Sequence, residues 1–205
     1  MDEIIKNTIE ALNNNNMSAK LVETCDDARE LVMSMINKDD IIGAGGSMTL
    51  DECKIRAELR EKEYNFLDWF LPETPMEKKN EIMQRSLTCD VFLTSTNALT
   101  MDGKLYNVDG RGNRVAAMVY GPKKVIVVTG KNKIVKNMQE AKERIETVAA
   151  PVNAKKLNRN TGCRKTGYCV DCSSKERICR HYLITDKQKE ENRINVIIVN
   201  EDLGL

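Results

Sequence analysis

The run Lys123-Lys124-Val125-Ile126-Val127-Val128-Thr129-Gly130 constrains the fold more than any other stretch. Four consecutive β-branched aliphatic residues, bounded by a lysine pair and a Thr-Gly step, read as a strand. No position in the run alternates to polar, so both of its faces must be covered. Strands of that kind belong to a largely parallel sheet with helices on each side.

The rest of the chain supplies the helices. Ile4, Ile5, Ile9 and Leu12 repeat at helical spacing and stop at Asn13 to Asn16. Residues 18–23 read as a short strand. Thr24 then caps a helix with Asp27 three residues on, and Ala28, Leu31, Val32, Met35 and Ile36 fall on one face. Residues 39–59 repeat the order, with a strand at Ile41 and Ile42, a glycine turn and a helix capped near Ser47. Further expectations are a strand over 63–70, a helix from Pro75, a strand with a polar end over 89–100 and a strand over 103–109. A short helix over 114–121, one long helix over 132–150 that ends before Pro151, and a last strand at Val196 to Val199 complete the order. The alternation predicts an α/β fold, an open, mostly parallel sheet with helices on both faces. A single domain over 1–205 is expected, with a cysteine-rich insertion at 158–182 before the last strand.

Lys and Arg number 32 against 31 Asp and Glu, a formal charge of +1. No global field draws nucleic acid or an acidic membrane surface, so neither is an expected partner. No apolar run is long enough to span a bilayer, and the polar amphipathic start MDEIIKNTIE is unlike a signal peptide. A cytoplasmic location is expected.

Two regions carry candidate binding chemistry. In GAGGSMT, Gly45 and Gly46 let the backbone approach a ligand, while Ser47 and Thr49 offer hydroxyls where a strand gives way to a helix. The stretch fits neither the Walker pattern nor the dinucleotide fingerprint, and a plain strand-to-helix turn is the competing reading. Asn97 follows the carboxyl end of one predicted strand; Asp109, Asn113 and Arg114 follow the next. Ligands in open α/β sheets bind beyond such ends. MDGK reads as a hairpin turn. For a reaction without electron transfer, Asp109 is the candidate general base, with Lys104 or Arg114 as its charge partner.

Cys163, Cys169, Cys172 and Cys179, spaced C-x5-C-x2-C-x6-C, fall in one basic stretch. The central C-x-x-C can chelate one centre from a single turn. Four thiolates suit an iron-sulfur cluster or zinc, and a redox disulfide or uncoordinated thiols stay open beside them. His181 is the chain's only histidine. Cys25, Cys53 and Cys89 lie far apart in sequence and read as small apolar residues.

GGSMT, then STNALTMDGKLYNVDGRGNRVAAMVYGPKKVIVVTGKNKIV, then TGCRKTGYCVDCSSKERIC and INVIIVNEDLGL together resemble the LUD (lactate-utilisation) domain family, in its short form with a cysteine-rich C-terminal segment. The resemblance implies the fold group of ribose-phosphate isomerases, CoA transferases, formyltetrahydrofolate cyclo-ligases and translation-initiation-factor-like isomerases. Asn97, Asp102-Gly103 and Asn107 to Gly110 look like a counterpart of the isomerases' active-site stretch, although Asp109 stands where that pattern has another residue. Asn107 joins the ligand-binding candidates on that ground. The family name implies lactate or organic-acid redox metabolism with iron-sulfur partner proteins, which favours a 4Fe-4S cluster over zinc. The resulting expectation is an enzyme or enzyme subunit that binds a small organic anion or a phosphorylated compound. The alternative is a non-enzymatic ligand- or redox-sensing regulator with a zinc or thiol knuckle.

Overall fold

The computed structural model describes residues 2–205. In chain order the elements are α1 (Glu3–Asn14), β1 (Ser18–Val22), α2 (Cys25–Ser34), β2 (Ile42–Ala44), α3 (Met48–Glu52), α4 (Ile55–Glu61) and α5 (Met76–Arg85). Next come β3 (Val91–Thr94), β4 (Ala98–Thr100), β5 (Leu105–Asp109), α6 (Asn113–Val119), β6 (Lys124–Gly130), β7 (Ile134–Val135) and α7 (Met138–Arg144). The chain continues through α8 (Ala150–Lys156), α9 (Gly162–Thr166), β8 (His181–Thr185) and β9 (Ile194–Val199).

Five strands form one sheet in the order β1-β9-β6-β3-β2, every pair parallel. The continuous aliphatic run is β6, at its centre. Val125 and Val127 face a core built with Ile5 and Leu12 of α1 and Met118 of α6. Ile126 and Val128 face a second core with Val32 of α2, Leu50 of α3 and Leu59 of α4. Alternation along the strand thus divides an unbroken apolar run between two hydrophobic layers. A second, four-stranded mixed sheet, β7-β4-β5-β8, packs Leu99 and Leu105 into the first core. No helix among the described residues is long and apolar enough to cross a membrane.

Several sequence expectations need correction. Residues 63–70 form no strand: Phe66 makes a single bridge to Ile42, and Asp68 then accepts from the Phe70 N–H and turns the chain. That local side-chain bond competes with the sheet ladder. Residues 89–100 are two strands, because Ser95 to Asn97 carry the chain from one sheet to the other. Residues 132–150 are not one helix that ends before Pro151. A short strand precedes α7, and a π turn over Ile145–Ala149 links α7 to α8. Its wider turn, in which the Ala150 N–H reaches the Ile145 carbonyl five residues back, lets the helix run on through Pro151. Proline has no N–H to bond and would collide with a carbonyl four residues back in a regular helix. The cysteine-rich insertion does not end cleanly at 182, since His181 and Tyr182 already belong to β8, antiparallel to β5. Cys25 and Cys53 are not isolated: their sulfurs lie 2.7 Å apart, where the start of α2 meets the end of α3.

Gly121 fixes the exit of α6. Its φ of +118° lies in the left-handed region, and a Cβ there would stand 1.9 Å from the Leu87 carbonyl oxygen. Gly121→Ala is expected to cost about 3 kcal/mol or more of stability, read as a lower urea midpoint with unchanged slope. A midpoint equal to wild type would contradict this placement of α6.

Candidate active site

The turns after β2, β3, β5 and β6 converge on a cavity of about 450 Å³. Gly46, Ser47, Asn97, Asp109, Asn113 and Arg114 line it, so the two polar regions singled out in the sequence meet as expected.

Arg114 holds the two regions together. From a buried position its Nη1 donates to the Ser95 carbonyl (3.1 Å) and Asn107 Oδ1 (2.6 Å). Nη2 donates to Asn97 Oδ1 (3.0 Å) and the Val108 carbonyl (2.8 Å), and Nε to Asp109 Oδ2 (3.2 Å). The other Asp109 oxygen accepts the N–H groups of Arg111 and Gly112 and so orients the start of α6. Gly45 lies against the aliphatic stem of Arg114, where a Cβ would come within 2.7 Å of Cδ. Burial depresses the Arg114 pKa, with Asp109 opposing the shift.

These contacts reassign several candidates. Asp109 and Arg114 satisfy one another and position loops, which leaves little for a general base to do. Asn107 is wholly buried behind Arg114 rather than facing the cavity, and its Nδ2 has no partner. Lys104 is not among the lining residues; it sits at the β4–β5 hairpin and pairs with Asp102 (3.2 Å) and Asp186 (3.3 Å). Thr49 is buried one step beneath the cavity wall.

The residue that sequence reasoning missed is Lys133, just past β6. It lines the cavity yet is only 3% exposed, and its Nζ donates to Thr49 Oγ1 and Ser95 Oγ, both at 3.1 Å. No carboxylate among the described residues pairs with it. Burial is the main cause that pushes its amine down to about 7; Arg144 and Arg114 add to the shift, while Glu52 and Cys53 oppose it. Its sequence signal was a lysine three residues past the most buried strand, the second of the pair Lys131 and Lys133. Nearby, Arg144 Nη1 donates to the Asn97 carbonyl at 2.7 Å and fixes that loop from the side of α7.

The wall is strongly cationic. Arg56, Arg111, Arg114, Lys133, Lys156 and Arg159 line the cavity against two carboxylate side chains, Asp51 and Asp109. Each of those acids is already paired with an arginine, Arg56 or Arg114. Arg56 is itself buried, stacks 3.7 Å over the Phe70 ring, and has no partner for its Nη1. Trp69, whose Nε1 donates to the Ala44 carbonyl, lines the cavity beside Phe70.

A family-level comparison matches the LUD domain over residues 5–199. The chain belongs to the LUD domain family. Among solved structures, a DUF162 family protein from Deinococcus radiodurans aligns with 97% of each chain at a TM-score of 0.57 and 14% identity, a likeness of fold. Ribose 5-phosphate isomerase A from Methanocaldococcus jannaschii aligns at a TM-score of 0.36 and 18% identity, over 57% of this chain and 55% of its own. The eIF2B delta protein from Chaetomium thermophilum aligns at 0.35 and 17%, over 68% and 54%. No curated protein matches.

The cysteine stretch of this LUD protein borders the cavity without entering it. Ile178 lines the cavity and its backbone packs on Gly110, whereas Cys179 packs against the hydrophobic cluster that includes Tyr106 and Ile145. No cysteine lines the cavity. Arg177 gathers the loop: Nε donates to the Cys179 carbonyl and Nη1 to the Cys172 carbonyl and Asp171. In the C-x-x-C turn the Asp171 N–H points at Cys169 Sγ, 3.4 Å away, and the Cys169 N–H ties the loop to the Glu146 carbonyl in the π turn. Burial first, then Cys169 and Cys163 and to a smaller extent Cys172, push the Cys179 thiol up to about 11, with Arg177 opposing the shift. As placed, no group of three or more His, Cys, Asp or Glu among the described residues is close enough to hold a metal ion.

Lys133 gives the LUD protein a pH signature. Its amine falls from 10.5 to about 7 on folding, so between those values the unfolded chain binds more protons and stability rises with pH. Below the lower value the penalty is complete and constant. The stability of Lys133→Met relative to wild type is therefore expected to fall, by a few kcal/mol, as pH rises through that window. A pH-independent difference in urea midpoints would show that the amine is not depressed.

Proposed function

We propose that this LUD-domain protein is a cytoplasmic enzyme or enzyme subunit that binds a small organic anion, a carboxylate or phosphate ester, between the Gly45–Thr49 turn and the Asn97 and Asp109 loops. The observation that carries this reading is Lys133, buried against two hydroxyls with no counter-ion. An unpaired cation is costly to bury, and an anionic ligand supplies the missing charge. Arg56 Nη1 adds a buried donor that has no hydrogen-bond partner. Ser47 and Asn113 offer hydrogen bonds, and Trp69 with Phe70 offers apolar surface for the ligand's carbon.

The test uses calorimetry and the fluorescence of Trp69, the chain's only tryptophan, with inorganic phosphate, lactate and pyruvate as ligands. At least one is expected to bind, and Lys133→Met to weaken it about tenfold or more. Equal binding by the variant, or no binding by any of the three, would overturn the reading.

The second part of the proposal is a four-cysteine centre at Cys163, Cys169, Cys172 and Cys179, with 4Fe-4S ahead of zinc. The thiol donor set, the Asp171 N–H aimed at Cys169 Sγ and the Arg177 brace support it; the loop would have to tighten to ligate. A cluster there would supply one-electron transfer to iron-sulfur partner proteins, in keeping with organic-acid redox metabolism; zinc would only brace the loop. Protein purified without oxygen is expected to contain iron and acid-labile sulfide and to absorb broadly in the visible, and Cys169→Ser/Cys172→Ser to lose all three. Stoichiometric colourless zinc would select the second metal, and neither metal would overturn the centre.

A further inference from the structure

We propose that Lys133 is a catalytic nucleophile, whose Nζ forms an iminium with the carbonyl carbon of an anionic oxo compound of the 2-oxo acid class. This rests on the anion-binding reading and adds a covalent step to it.

The cavity narrows the choice of reactive group. Its two carboxylate side chains, Asp51 and Asp109, are held by Arg56 and Arg114, and no histidine or cysteine side chain lines it. The hydroxyls of Ser95 and Thr49 flank Nζ and accept its protons at 3.1 Å. Backbone closes the far side, since a Cβ on Gly204 would stand 2.9 Å from Nζ and 2.4 Å from Thr49 Oγ1. The amine is therefore screened from bulk water except through the cavity. A lysine that served only as a fixed cation would be best kept fully charged; here burial pushes it to about 7, so a large share carries a free electron pair at neutral pH. The remaining cations of the wall, Arg56 foremost, suit the carboxylate of a ligand whose carbonyl meets Nζ.

The step balances within the site. Nζ bonds to the carbonyl carbon as the C–O π pair moves to oxygen, and Nζ passes one of its protons to that oxygen by way of the Ser95 or Thr49 hydroxyl, which gives the neutral carbinolamine. With one further proton taken from solvent the oxygen leaves as water while the C=N bond forms. Nothing is oxidised or reduced, and water is the sole by-product.

The full-length protein is incubated at neutral pH with pyruvate or with glyoxylate, with and without sodium cyanoborohydride, and examined by intact mass and peptide mapping. Calorimetry without the hydride follows binding of the same probes. A single reduced adduct on Lys133 is expected, with Lys156 on the exposed wall unmodified. Lys133→Arg is expected to lose the adduct while it still binds the carboxylate, and circular dichroism checks that the variant is folded. Binding without an adduct on Lys133, or adducts spread over surface lysines, overturns the nucleophile and leaves the anion site standing. Failure of both probes to bind removes the anion reading for this class and the iminium with it.

Discussion

The Arg114 guanidinium is the constraint on which the candidate site depends. A buried arginine is tolerable only if its donors are satisfied, and here five hydrogen bonds draw in Ser95, Asn97, Asn107, Val108 and Asp109. Those partners come from the crossing between the two sheets and from β5, so one planar group sets how the mixed sheet meets the parallel one. Gly45 lies under the same side chain because anything larger would displace it. Asp109 faces inward for the same reason, as the negative partner and as the acceptor for the first N–H groups of α6.

Lys133 shows the opposite arrangement within the same cavity. Arg114 is matched by a carboxylate and a complete set of acceptors, while Lys133 has two hydroxyls and no anion. The contrast is chemical as well as geometric. Guanidinium stays charged and serves as a joint, whereas an amine stripped of solvent gives up its proton and becomes reactive. Positioning therefore falls to the arginine, and reaction to the lysine.

Much of the framework was legible in residue patterns. The capping box at Thr24 and Asp27, the helix starting after Pro75 and the unbroken aliphatic run of β6 all stand where local chemistry put them. Misreadings arose where local pattern met tertiary context. Residues 89–100 look continuous in composition but divide between two sheets, and Pro151 looks like a stop but is accommodated by the π turn. Asn97, Asp109, Asn113 and Ser47 were legible as cavity residues because strand ends collect polar loops; their division into lining and bracing groups was not.

By itself the sequence determined the layered α/β order, the buried strand at Val125 to Val128 and the polar loops at the carboxyl ends of other strands, because periodicity, capping and turn chemistry are local properties. Tertiary structure alone decided which cations are paired. Lys104 and Lys133 look alike in the chain, each following a turn near a strand. One meets Asp102 and Asp186 at a half-exposed hairpin, while the other is enclosed by Thr49, Ser95 and the Gly204 backbone. The same contrast sets Cys25 against Cys53, 28 residues apart in sequence and in contact in the fold. Burial and counter-charge arise from contacts between distant segments, and they fix whether a given amine or thiol is inert or reactive.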